Sequence, residues 1–162
     1  VRWMVALISD TGMRLSEAAG LHINDIILDN DIPHIDLKPH PWRGLKTKGS
    51  QRQIPLVGAS LWAANRIKET YSHSVYAFPR YNNTSTTNGN SASAAVNKWR
   101  KPRVPEGCVI HSFRHSMRDR LRAVQCPADI VDQIGGWSST GIGQAYGEGY
   151  SLQALLDYIM KV

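Results

Sequence analysis

Cysteine is scarce in this 162-residue chain: there are two, Cys108 and Cys126. They stand in no metal-ligand spacing and are too few for a disulfide framework, so two reduced thiols in a cytosolic setting are expected. Long apolar runs are lacking too. The longest, Trp3 to Ile8, is far short of the ~20 residues a helix needs to cross a bilayer. No secretory signal pattern is present, and no internal repeat suggests a solenoid or propeller. Acidic residues are outnumbered: 13 Asp and Glu against 19 Lys and Arg leave a formal charge of +6, and the pI is near 9.6. That balance suits a polyanionic partner without identifying one. An initiating methionine is also missing. The chain begins at Val1, so a piece of a longer protein is expected.

What is there reads as one domain with enough apolar residues, 42%, to bury a real core. Residues 1–9 read as the end of a buried helix, broken at Asp10-Thr11-Gly12, and a short helix follows from Leu15 to Leu21. Residues 34–38 and 52–56 alternate apolar and polar and predict two antiparallel strands. Between them a Gly-, Lys- and Pro-rich connection leaves room for another short strand near Arg43 to Lys46. Ser60 to Tyr71 predicts a helix, 81–93 a mobile polar loop, and Ser93 to Lys101 a short basic helix. Ser112 to Gln125 and Ala128 to Ile134 predict helices separated by Pro127, and Ser151 to Met160 a final amphipathic one. The expected class is α+β, mainly α-helical with a small antiparallel β-sheet.

Four segments carry chemistry. In TGMRLSE (11–17), Arg14 follows a glycine turn, and Glu17 stands three residues on, where a carboxylate can orient a guanidinium. Taken alone, that pair reads as a surface ion pair of little energetic weight. In KTKGSQRQIP (46–55), Lys48 precedes Gly49, where a hairpin would turn, and can reach outward; Lys46 is the other lysine of that tip. In HSFRHSM (111–117), a helix start places His111 and Arg114 on one side. A guanidinium there offers a planar fork suited to two oxygens of one phosphate, and the imidazole can donate to it or take a proton. His111, His115 and Cys108 are of metal-ligand type, but Arg114 in their midst would repel a cation. In GGWSSTGIGQAYGEGY (135–150), Trp137 follows two glycines, and two tyrosines follow, Tyr146 and Tyr150. A phenol becomes a competent nucleophile toward phosphorus once cations lower the barrier.

Their order and spacing together resemble the tyrosine recombinase, or phage integrase, family across essentially the whole chain. TGMRLSEAAGL resembles that family's first arginine box, and HSFRHSM its His-x-x-Arg box. GGWSS resembles its Gly-His box with Trp in the histidine place. Trp137 stands 23 residues after Arg114 and Tyr146 nine after Trp137, as in the family. The resemblance implies the fold of a DNA breaking-rejoining catalytic domain over 1–162, with the family's separate N-terminal DNA-binding domain absent from this chain. It implies that Arg14 and Arg114 clamp a scissile phosphate, that Tyr146 attacks it, and that Lys48 protonates the leaving oxygen. His111 would bond the phosphate and help remove the phenol proton, and Trp137 would complete the pocket, with Glu17 and His115 supporting it. No cofactor, metal or ATP is implied. The implied partner is double-stranded DNA at attachment sites, bound by a homotetramer whose C-terminal helix docks on a neighbour, with accessory DNA-bending proteins possible and no membrane. Arg118, Arg122, Lys98, Arg100, Lys101 and Arg103 are candidate DNA contacts. The implied location is cytoplasmic, at the nucleoid. A type IB topoisomerase-like nicking-closing enzyme and a non-catalytic DNA-binding relative are the alternatives.

Overall fold

A computed structural model describes residues 1–137 and 149–162, with Lys48 described by its backbone alone. Helix α1 (Arg2–Thr11) buries Met4, Leu7, Ile8 and Thr11, the three- and four-residue spacing of one helix face. It runs two residues further than the expected break and ends at Gly12, whose φ of 63° is the left-handed cap that suits glycine. Helix α2 (Leu15–Ala19) follows directly. Three antiparallel strands form one sheet in the order β1 (Ile26–Ile27), β2 (His34–Leu37), β3 (Arg52–Pro55). Ile35 lies opposite Ile54 and Leu37 opposite Arg52. The two-residue β1 was not expected; it is too short to show an alternating pattern.

Helix α3 (Gly58–Tyr71) buries Ser60, Ala63, Ala64 and Ile67 as it packs on α1, the first three small enough to allow close approach. Its N-terminus is capped from a distance: Asp10 Oδ2 accepts from the Ala59 and Ser60 amides at 2.8 and 3.2 Å. Helix α4 (Gly89–Arg100) begins four residues earlier than expected, capped by the Asn88 side chain, so the polar loop is shorter than 81–93. Within it Asn82 bridges to Thr87. Helices α5 (Ile110–Ala123), α6 (Ala128–Gly135) and α7 (Leu152–Ile159) complete the described chain.

The expected strand near Arg43 to Lys46 does not form. His40 and Arg43 make an isolated bridge instead, and Arg43 turns inward to bond the Glu17 carbonyl at 3.2 Å and Asp25 at 3.5 Å. A charged side chain that finds partners on two other segments holds the connection irregular. The expected turn at Gly49 is likewise not a tight hairpin but one turn of 3-10 helix, Lys48–Ser50.

Apolar burial falls into two clusters. The larger joins α1, α2, the sheet, α3 and α4. The smaller joins Met117 and Leu121 of α5, Ile130, Val131 and Ile134 of α6, and Leu155 and Ile159 of α7. Among the described residues no helix is long and apolar enough to cross a membrane.

Candidate active site

The site lies where the two clusters meet, and glycine carbonyls join them. The sharp turn at Gly12 aims its carbonyl at Arg114, whose Nη1 donates to it at 2.6 Å. Arg14 Nη2 reaches the Gly136 carbonyl at 3.5 Å from the opposite direction. Each arginine of the expected pair is thus held by backbone of the other's cluster.

Glu17 is the one carboxylate among these bonds. It is 2% exposed, so the Arg14–Glu17 pair is a buried element and not the surface pair that its spacing alone suggested. Its Oε2 accepts from the Arg14 amide at 2.9 Å, capping α2, while Oε1 accepts from Arg14 Nη1 at 2.6 Å. Arg52 Nη2 donates to Oε2 from the other side at 3.1 Å. Burial opposes ionisation of this carboxyl. The Arg52 charge and the bonds from Arg14 and Arg52 outweigh it and hold the pKa below the ordinary glutamate value.

Arg114 is 3% exposed. Burial first, then the charges of Arg14 and Arg52, lower its guanidinium to about 10, still charged at neutral pH. Three guanidiniums against one carboxylate leave a local excess of two positive charges. Among the described residues the buried Arg114 Nη2 has no hydrogen-bond partner. A buried, charged donor left unpaired is costly, and an anion's oxygen would satisfy it.

Trp137 stands on the Arg114 side of this pocket. Its ring centroid is 4.5 Å from the Arg114 guanidinium carbon and 5.2 Å from that of Arg118, within cation–π range. The two preceding glycines have separate reasons. A Cβ on Gly135 would fall 1.9 Å from the Trp137 ring. Gly136 has φ of 61° and faces the Arg52 guanidinium, 2.6 Å from where its Cβ would stand.

His111 is exposed in the first turn of α5, its ring 4.8 Å from that of His115 and edge-on. Burial, then the charges of His115, Arg114, Arg14 and Lys46, lower its pKa, so the ring stays neutral at neutral pH. Lys46 is therefore within electrostatic reach of His111. Lys48 is placed by backbone only, in the turn whose Ser50 hydroxyl accepts from Arg14 Nη1 at 3.2 Å. Tyr146 lies outside the described residues. Tyr150 is described: its hydroxyl donates to Asp129, a bond that raises the phenol pKa, and Gln133 holds its backbone at both the amide and the carbonyl.

Of the outlying basic residues, Arg118 borders the pocket across the Trp137 ring. Arg118 stands 3.7 Å from Asp132, and Arg122 3.8 Å from Asp119. Arg100 donates to the Cys108 carbonyl, and Arg103 to that of Trp99 at 2.6 Å. Lys98 and Lys101 are exposed near the end of α4. Among the described residues, no hydrogen bond or ion pair links these six side chains to Arg14 or Arg114, and no three His, Cys, Asp or Glu side chains gather as metal ligands.

Arg52, Ser50 and Arg43 were missed as site-building residues. For Arg52 a signal existed: it shares strand parity with the buried Ile54 and so points inward. For Arg43 the irregular backbone gave none.

The family model described as phage integrase family matches residues 1–150. Comparison with curated protein sequences finds no match. Among solved structures, the integrase of transposon Tn1549 in complex with circular intermediate DNA is similar at TM-score 0.57 and 18% identity, covering 96% of this chain and 55% of that one. A form of that integrase with a tyrosine changed to phenylalanine, in complex with transposon right-end DNA, gives TM-score 0.59 and 17% identity, covering 99% and 58%. The chain thus spans little more than half the length of the structures it matches.

Proposed function

We propose that this chain, which belongs to the phage integrase family, is the catalytic domain of a site-specific DNA recombinase that breaks and rejoins strands through a phosphotyrosine. The observation that carries the reading is the pocket's unbalanced charge: buried Arg114, with Nη2 unpaired among the described residues, beside Arg14 and a single carboxylate. A phosphodiester's non-bridging oxygens fit that deficit, and the charge that builds on them in the transition state is what preorganised guanidiniums stabilise.

In this reading Tyr146 Oη attacks the scissile phosphorus and the bond to the 5′ oxygen breaks. A 3′-phosphotyrosyl link forms and a 5′-hydroxyl leaves. Neutral His111 takes or relays the phenol proton, which its lowered pKa favours as an acceptor state. A lysine of the 46–48 segment protonates the departing oxygen. We assign this to Lys48, with Lys46 as the alternative that its reach to His111 keeps open. Trp137 walls the pocket and holds Arg114 from one side. His115 buttresses His111. Tyr150 is the weaker nucleophile, because its hydroxyl is committed to Asp129 and its pKa is raised. Attack by a partner strand's 5′-hydroxyl reverses the steps, so neither ATP nor a metal is consumed.

Double-stranded DNA is the proposed partner, with Lys98, Lys101, Arg118 and Arg122 as backbone contacts. The proposed assembly is a homotetramer on two sites. In the single chain α7 covers its own smaller cluster, so docking on a neighbour would exchange that packing between protomers. A nicked duplex whose short cleaved piece diffuses away tests the proposal. Incubated with the protein in EDTA, it should yield a DNA-linked band that survives SDS. No such band, from this chain or from a longer form carrying additional DNA-binding sequence, would refute it.

A further inference from the structure

Among the described residues, Arg14 gives its guanidinium hydrogen bonds to three: Glu17 Oε1, Ser50 Oγ and the Gly136 carbonyl. Arg52 meets the same three places. Its Nη2 donates to Glu17 Oε2 at 3.1 Å and its Nη1 to the Ser50 carbonyl at 2.7 Å. Its Nε donates to the Ile134 carbonyl at 2.8 Å, and its guanidinium lies in the space a Gly136 side chain would fill. These partners come from α2, from the turn that carries Lys48, and from the end of α6. Arg52 itself is 7% exposed and fixed in β3 opposite Leu37.

We propose that Arg52 is a positioning residue: it sets the orientation of Arg14 by holding Glu17, Ser50 and the end of α6 beside Gly136, the three places to which the Arg14 guanidinium donates among the described residues. The chemistry requires arginine. One planar fork with fixed donor directions spans three partners at once, whereas a lysine ammonium is a compact point charge on a flexible stem. Glu17 meets Arg14 at both oxygens, through the Arg14 amide and Nη1, but those bonds lie within one short segment and leave the pair free to move together. Arg52 adds a second donor to Oε2 from β3, which anchors the carboxylate, and Arg14 with it, to the sheet. The same fork ties α6 to the 48–50 turn, so the Lys48 backbone and Trp137 keep a common reference. The inference rests on the proposed function to the extent that Arg14 is read as a phosphate ligand.

The test is single-turnover cleavage of the nicked duplex by the full chain, comparing the parent, Arg52→Lys, Arg14→Ala and the double variant. Arg52→Gln is the second choice should the lysine variant not fold, and Ile54→Ala on the same strand is the control for general destabilisation. Arg52→Lys should slow cleavage by about 100-fold, the scale of a misplaced reacting geometry. Its duplex affinity should change by less than about threefold, because lysine keeps the charge and charge dominates duplex affinity. Combined with Arg14→Ala, its effect should be far less than multiplicative, because both remove one function. Cleavage at the parent rate, a loss equal to that of Ile54→Ala at matched Tm, or fully multiplicative effects would each overturn the inference. If the parent does not cleave, the proposed function fails, and the side-chain Nε–H signal of Arg14 in NMR decides the inference alone. A signal moved and broadened by Arg52→Lys supports positioning, and one left unchanged overturns it.

Discussion

The two apolar clusters and the seam between them are built on opposite principles. Within each cluster, contacts are mainly between aliphatic side chains: Leu7, Ile8, Ile35 and Ile54 in one, Leu121, Ile130, Ile134 and Leu155 in the other. Across the seam much of the joining is done by arginines and backbone carbonyls: Arg114 to Gly12, Arg14 to Gly136, Arg52 to Ile134, Arg120 to Ser9. Apolar burial is non-directional and sets stability roughly by area. A guanidinium fork is directional and sets angles. The fold therefore draws its stability from the clusters and its geometry from the seam, and the candidate site sits on the part that fixes geometry.

That contrast can be broken from either side. The largest effect should come from deleting residues 151–162, which strips Leu155 and Ile159 from the smaller cluster. The truncated chain should lose its cooperative thermal transition. A truncated chain that folds normally and fails only in recombination would instead assign α7 to a neighbour's core. Leu121→Ala should cost about 2–5 kcal/mol in denaturant unfolding, as buried leucine truncations do, while the remaining folded fraction cleaves at the parent rate. Arg114→Ala should do the reverse. Cleavage should fall by about 10²–10³-fold, the loss expected for one transition-state donor, at a smaller cost in stability than Leu121→Ala. Equal effects of the two on both readouts would erase the distinction.

Glu17 sharpens the comparison through pH. Its folded pKa is held below the unfolded one, so its contribution to stability is complete above the unfolded value, about 4.3, and is lost as pH falls through the folded value. The Tm difference between the parent and Glu17→Gln should be constant above about pH 5 and shrink below about pH 4. A difference that persists unchanged into acid would mean that the carboxylate charge is not what holds the seam. The smallest effect concerns the periphery. Arg122→Gln should reduce the slope of log affinity against log salt by about one and leave cleavage at saturating protein unchanged.

The clusters were legible in the sequence because periodicity reports apolar burial directly. Met4, Leu7 and Ile8, or Ile130, Val131 and Ile134, are one face of a helix by spacing alone, and the helical segments and two of the three strands follow. The seam was legible only in its named residues. Arg14, Glu17, Arg114 and Trp137 do converge, and both glycines before Trp137 have a steric reason to be there. What periodicity could not give is which carbonyl each arginine finds, since every residue carries one. Arg52 was readable by strand parity, yet a charge in an alternating strand reads by default as solvent-facing. Arg43 sits in a connection whose irregular path is set by its own bonds to Glu17 and Asp25, so the expected strand there had no competing signal to cancel it. Gly49 suggested a tight turn, and the structure has a 3-10 turn tied to Arg14 through Ser50.

The measurement that bears most directly on the account compares Tyr146→Phe with Tyr150→Phe on the nicked duplex in EDTA. The expected result is an SDS-resistant DNA adduct from the parent and from Tyr150→Phe, and none from Tyr146→Phe. An adduct that survives Tyr146→Phe and vanishes in Tyr150→Phe would contradict the assignment of the nucleophile, and with it the reading that the Asp129 bond takes Tyr150 out of the chemistry.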